Sequence, residues 1–203
     1  MPSSAVPQPR QRGRPRRDAA GDARGRILAA AADEFSELGY DGATMRGIAA
    51  RAGVDASLLH HYFGTKADLL GEVVDAPMRP DLEVPRLLDG PRDQLGEGIV
   101  RYVLESWESP STRARGTALM RAALGNKMTT PLLAGFLSRE LIGRIAARLD
   151  SDDAALRAAL AASQIAGLIV ARYILQLAPL TNASVDELVR RIGPTIQQYL
   201  TGD

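Results

Sequence analysis

Apolar residues recur at three- and four-residue spacing along most of the chain, and no stretch alternates as a strand would. Ile27, Leu28, Ala31, Phe35 and Leu38 share one face and predict a helix from about Asp22 to Leu38, ended by Gly39. Two shorter patterns follow. Thr44 to Arg51 opens on a capping hydroxyl and buries Ile48 and Ala49; Ala56 to about Phe63 opens on Asp55 and turns Leu59 and Phe63 inward. Between them, Gly53 supplies the left-handed backbone of a tight turn, and Val54 plugs the angle between the helices. Thr65 and Asp68 form a capping-box-like start for a helix carrying Leu69, Leu70, Val73 and Val74. Pro77, Pro80 and Pro85 then break the pattern and place a domain boundary near residues 77 to 90.

The second half is helical throughout. Leu95, Ile99, Tyr102, Val103 and Trp107 mark one amphipathic helix; Leu119, Met120, Ala123 and Leu124 mark a shorter one over residues 111–124. Thr130 and Pro131 read as cap and first turn of a helix with Leu133, Phe136, Leu137, Leu141, Ile145 and Leu149. Ser151, Asp152 and Asp153 open the next, where the helix dipole favours acid. That helix extends to about Leu177 and is apolar on nearly all faces from Ile165. Ser184 and Glu187 read as a full capping box before Val185, Leu188, Val189, Ile192, Ile196 and Tyr199. The fold class is therefore all-α, with a three-helix helix-turn-helix unit ahead of a larger helical body.

At 203 residues and 45% hydrophobic, the chain can bury a small head and a larger body. No run of about 18 apolar residues stands out as a membrane span, and the N-terminus lacks the apolar core of a secretory signal. Without cysteine there is no disulfide, and two adjacent histidines offer little for a metal, so no cofactor is expected and the reading is a cytoplasmic protein. The net charge of +1 says little about nucleic acid. Its distribution says more: Arg10, Arg12, Arg14, Arg16 and Arg17 cluster without one acid. Residues 1–21 read as a disordered basic arm. Within it, Arg12-Gly13-Arg14-Pro15 looks like an AT-hook core, for which Arg12 and Arg14 would enter a narrow minor groove; a generic solvated basic tail is the other reading.

The short helix after Gly53 leaves Ala56, Ser57, Leu58, His60, His61 and Tyr62 on its outer faces. Small, hydroxyl and imidazole groups on one exposed helix suit the major groove. The stretch from Thr44 to Lys66 resembles the DNA-binding domain of the TetR/AcrR family of transcriptional regulators. Thr44, Ile48, Ala49, Ala52, Gly53, Val54, Phe63, Thr65 and Lys66 match the family signature over 23 continuous residues. Asp55 replaces the usual Ser or Thr and preserves capping, while His60 stands where the family most often has a phosphate-touching tyrosine. The resemblance implies that Arg46 reads base edges and that Thr44 and Lys66 hold phosphates.

It also implies a body, residues 77–203, that binds a small molecule and dimerises, behind a head at 22–76. Candidate effector contacts are the large or polar residues on apolar faces: Tyr102, Trp107, Met120, Met128, Phe136, Gln164 and Arg172. Arg172 needs a partner if buried, either a ligand carboxylate or an internal ion pair. For dimerisation, Ser163, Gly167 and Ala171 form a small-residue row, and Leu188, Ile192 and Ile196 an apolar stripe to cover it; the alternative is a monomeric core with small residues. The expected function is a homodimeric repressor, released from an inverted-repeat operator on double-stranded DNA by a small effector, without a membrane partner. A helical interaction protein without DNA binding would leave Thr44, Arg46, Lys66 and the arm without a role. A helical enzyme using His60 and His61 is opposed by geometry, since helix neighbours point about 100° apart and cannot chelate one ion well; neither a P-loop nor a G-x-S-x-G elbow appears.

Overall fold

The computed structural model describes residues 17–125 and 129–202. The first helix, α1 (Arg17–Gly42), starts earlier than its apolar pattern and is broken at Gly39, whose backbone sits at φ 69°, ψ −177°. Only glycine enters that region without strain. The break adds one final turn after the expected end and rotates the chain, so Tyr40 is 1% exposed while Leu38, expected on the inner face, is 52% exposed. α2 (Met45–Ala52) and α3 (Ala56–Phe63) meet at Gly53, at φ 64° and ψ 40°, and Val54 packs against the head's core. α4 (Lys66–Val73) begins with a complete capping box of Thr65 and Asp68. These four helices close over Ile27, Phe35, Tyr40, Ile48, Leu59 and Leu69.

Where the prolines predicted a break, residues Pro80–Leu88 form α5 instead. A proline at the first helical position costs no hydrogen bond, because that N–H has no intrahelical acceptor. Val84 anchors α5 in the body's core, and the Asp81 side chain beside it is fully buried. The body comprises α6 (Leu95–Glu108), α7 (Pro110–Gly125), α8 (Thr129–Phe136), α9 (Gly143–Ala146), α10 (Ala154–Ile169), α11 (Ala178–Asn182) and α12 (Val185–Thr201). A π-helical turn, Leu137–Ile142, joins α8 to α9, and another, Val170–Ile174, extends α10. The Ser184 hydroxyl accepts from Glu187 N–H at 3.2 Å, but the Glu187 carboxylate pairs with Arg191, so the expected box is only half made.

Head and body share α8. Leu132 is buried in the head's core and Phe136 packs on it. A Cβ on Gly135 would lie 3.3 Å from that of Tyr40, which is why α8 can pass so close to α1. The Tyr40 hydroxyl donates to Glu140 at 2.7 Å, and Arg139 pairs with Asp41 at 2.6 Å.

Candidate nucleic-acid interface and inner cavity

The outer surface of the head is built by caps. Thr44 ends the α1–α2 corner in extended backbone, and its hydroxyl accepts from Gly47 N–H at 3.0 Å. A Cβ on Gly47 would fall 2.3 Å from Glu34 Oε1, so the bare glycine leaves room for the buried Glu34 carboxylate beside α2. Asp55 accepts from Ser57 N–H at 2.7 Å, and the hydrogen bonds from Ser57 hold its carboxyl below the usual range. With Leu59 and Phe63 buried, α3 presents Ser57, His60 and His61 to solvent, with Ala56, Leu58 and Tyr62 half-exposed. His60 Nδ1 lies 2.8 Å from the Gly64 carbonyl; a carbonyl only accepts, so Nδ1 carries the proton and Nε2 is free to face a partner. The His61 and Tyr62 rings meet edge to face at 5.8 Å.

The arginines divide sharply. Arg24 pairs with Glu72, Arg26 with Asp22, and Arg51 with both Glu34 and Glu37. Arg46 is exposed, and among the described residues no carboxylate pairs with it. Lys66 goes the other way. Its ammonium turns inward, donating to the carbonyls of Tyr40 at 2.7 Å and Ala43 at 3.0 Å, with the Tyr40 ring centroid at 4.4 Å. Burial pushes this ammonium below the usual lysine range. The phosphate role expected of Lys66 is therefore replaced by a structural one: it caps carbonyls freed where α1 breaks and α2 has yet to begin. Lys66→Ala should cost about 1–2 kcal/mol of stability by leaving these carbonyls without their charged donor; a change below about 0.5 kcal/mol on chemical denaturation would mean that water serves them equally well. The arm residues Arg12 and Arg14 lie outside the described residues.

An apolar cavity of about 270 Å³ lies between α4 of the head and α5, α6, α7, α8 and α10. Trp107, Met120 and Phe136 line it, as the sequence suggested. Tyr102 and Gln164 do not: Tyr102 packs against the core, where burial raises its phenol, and Gln164 is exposed. Met128 lies outside the described residues. Arg172 is 8% exposed but points away from the cavity, donating to the carbonyls of Leu180 and Ala183 and facing Glu108 at 3.4 Å. Its charge is met inside the chain, which removes the carboxylate-ligand role. A residue that sequence reasoning missed takes its place: Arg79, the one charged side chain on the cavity wall among the described residues. It lies between prolines, where helical periodicity carries no signal.

On the outside of α10, Ser163 and Gly167 are exposed, Ala171 is half-exposed, and a Cβ on Gly167 would meet nothing within 4 Å. The stripe expected to cover this row is turned inward. Leu188 and Ile196 are 3% and 0% exposed, packed in their own chain's core beside Ile192. On or just beyond the same helix as the row, Leu156, Leu160, Leu175 and Leu177 are instead open. By length and mean hydropathy alone Ala154–Ile174 could cross a membrane, but Arg157, Ser163, Gln164 and Arg172 interrupt it, so no run of 18 apolar residues exists there; 17% of its most apolar 18-residue window is buried.

A capped helix-turn-helix in front of a helical body with an apolar cavity is the architecture of a DNA-binding protein with a second, helical domain. Residues 27–73 match the family model described as bacterial regulatory proteins, tetR family, and residues 93–200 match the tetracyclin repressor-like C-terminal domain. The chain belongs to the TetR family and is a ligand-responsive DNA-binding transcriptional regulator. It is 39% identical over 165 residues to the HTH-type transcriptional regulator BetI of Agrobacterium fabrum, covering 75% of this chain and 78% of that one. It is 33% identical over 129 residues to the HTH-type transcriptional repressor Rv3405c of Mycobacterium tuberculosis, covering 62% and 60%. Among solved structures, NalD of Pseudomonas aeruginosa superposes with a TM-score of 0.51 at 18% identity, covering 92% of this chain and 100% of that one.

Proposed function

We propose that the protein is a homodimeric repressor without catalytic activity, acting in the cytoplasm, held on an inverted-repeat operator and released by a small molecule in the cavity. In this reading residues 22–76 read DNA, residues 77–203 bind effector and dimerise, and the arm of residues 1–21 follows the adjacent minor groove through Arg12 and Arg14. The observation that carries it is the free Arg46 at the mouth of a helix-turn-helix whose other described arginines are paired. Two relatives support the sign of regulation: Rv3405c is named a transcriptional repressor, and NalD is described as the secondary repressor of the MexAB-OprM multidrug efflux pump. Thr44 faces phosphate, and Ala56, Ser57, Leu58, His60, His61 and Tyr62 face the groove.

Selection of bound duplexes from random DNA should recover two half-sites in inverted order, about one helical turn apart. On that site Arg46→Ala should cost about 1–3 kcal/mol and relax preference at one base position per half-site. A uniform loss across all sequences would reduce Arg46 to a phosphate contact, and failure to enrich any sequence would overturn the repressor reading.

A further inference from the structure

Arg79 stands between two compartments. One is the apolar cavity; the other is a polar groove of about 480 Å³, bordered by Tyr62 and Phe63 of α3 and by Asp68 and Glu72 of α4. Its guanidinium holds both sides together. Nε and Nη2 donate to the Asp81 carboxylate at 2.8 and 2.7 Å, and Nη1 donates to Asp68 at 2.7 Å. Asp81 sits on α5 with a fully buried side chain, whereas Asp68 sits on α4 with a side chain 35% exposed. The stem matters too: Arg79 Cδ lies 3.6 Å from where a Cβ on Gly71 would stand, so α4 rests on it. At the far end of α4, Asp75 turns through φ 48° and pairs with Arg115 of α7 at 3.1 Å. The helix that follows the reading unit is thus tied to the body through two carboxylates.

The charges on this wall restrict the guest. One guanidinium faces two carboxylates, so Arg79 has no positive charge left over for an anion, and the other side chains of the wall are uncharged and apolar except for the buried, unpaired indole N–H of Trp107. A charged group entering here would lose its water without gaining an opposite charge, whereas a neutral guest with one acceptor oxygen could pair with the Trp107 N–H.

We propose that the effector is a neutral, largely apolar molecule of roughly ten to twelve carbon atoms, scaled from the ~150 Å³ cavity that takes up benzene, and that Arg79 transmits its arrival by releasing Asp68 while keeping Asp81. The inference rests on the reading of the chain as an effector-released DNA binder. α4 contributes Leu70 and Gly71 to the cavity wall, and Val74 at its C-cap adds to them, so a guest presses on that helix directly. The two contacts of Arg79 differ in what their loss leaves behind. Releasing Asp81 strands a carboxylate with no access to water. Releasing Asp68 does not, because Asp68 keeps the Thr65 N–H at 3.0 Å and the Thr65 hydroxyl at 2.6 Å, and also reaches solvent. The weaker commitment gives way, and α4 moves with the reading head.

The test uses the full chain, a labelled duplex selected from random DNA, and three probes that share a ten-carbon chain: decan-1-ol below its solubility limit, and decanoate and decyltrimethylammonium below their micelle concentrations. Trp107 emission reports cavity occupancy, and anisotropy of the duplex reports release. Decan-1-ol should perturb Trp107 and weaken DNA binding at least tenfold, with both charged probes at least tenfold less effective. Asp68→Asn and Arg79→Lys break the same contact from opposite ends. The first can still accept from Thr65; the second keeps a cation on Asp81 but cannot span both carboxylates. Each should move the ratio of decan-1-ol affinity to DNA affinity at least tenfold toward decan-1-ol. A preference for either charged probe overturns the neutral class, and an unchanged ratio in both variants overturns the latch. Binding of selected DNA with no response to any probe overturns the inference alone, whereas absence of any selected DNA site overturns the regulator reading beneath it.

Discussion

Gly96→Val is expected to remove about 3 kcal/mol or more of folding stability, the upper end of what overpacking a core costs. α6 and α12 cross at Gly96 and Gly193 with backbone against backbone. A Cβ on Gly96 would sit 2.1 Å from the Gly193 carbonyl oxygen and 2.6 Å from Gln197 N. A Cβ on Gly193 would in turn sit 2.7 Å from Glu97 Cγ and 3.1 Å from its Cα. Backbone cannot rotate aside as a side chain can, so the helices must separate. Separation loosens Ile99, Val100, Val103, Ile196 and Leu200 together. It also breaks the tie from Gly96 N–H to Gln197 Oε1 at 2.9 Å. Helix propensity alone would favour valine over glycine by a few tenths of a kcal/mol, so the sign of the change separates packing from propensity. Chemical denaturation should show a lower midpoint at unchanged slope; stability equal to or above the parent would mean that this crossing is not a fixed point of the fold.

Leu160→Arg combined with Gly167→Arg should give a folded monomer whose affinity for the inverted repeat falls at least a hundredfold. Both positions are open to solvent in the single chain: Leu160 is 37% exposed, and nothing stands within 4 Å of a Gly167 Cβ. The chain itself therefore loses little. A two-fold interface feels each substitution twice and sets the guanidinium groups against one another. Once the chains part, each head binds alone, and the factor of about 10²–10⁴ contributed by linked binding is lost. Sedimentation at parent mass with unchanged affinity would place the interface elsewhere. Loss of helicity would mean instead that this face belongs to the chain's own core.

The helix-turn-helix was legible because each of its residues does a local job. Thr44, Gly53, Asp55 and Thr65 act on backbone groups within a few positions of themselves, and the structure finds each one capping or turning. Misreadings came where a residue's partner lies far along the chain. Lys66 looks free in its own turn, yet the carbonyls it serves belong to Tyr40 and Ala43 and are left open by a kink at Gly39. Periodicity gave the right apolar face of α12 but not its partner: Leu188 and Ile196 pack in the body's own core, so the open surface falls to Leu156 and Leu160 of α10. Arg172 showed the same ambiguity, settled by carbonyls at Leu180 and Ala183 that only tertiary folding brings near. Arg79 and Asp81 had no pattern to betray them, since prolines hid a short helix in what read as a connection.

Sequence-selective binding of duplex DNA by the folded head is the property on which the proposed function depends. Its most direct test is the affinity of the full chain for its selected inverted repeat and for a scrambled duplex of equal length, across a series of salt concentrations. Both affinities should fall steeply as salt rises, because phosphate contacts release counterions, and the selected site should bind about 10³-fold or more tightly at physiological salt. Equal affinity for the two duplexes at every salt concentration would contradict the account.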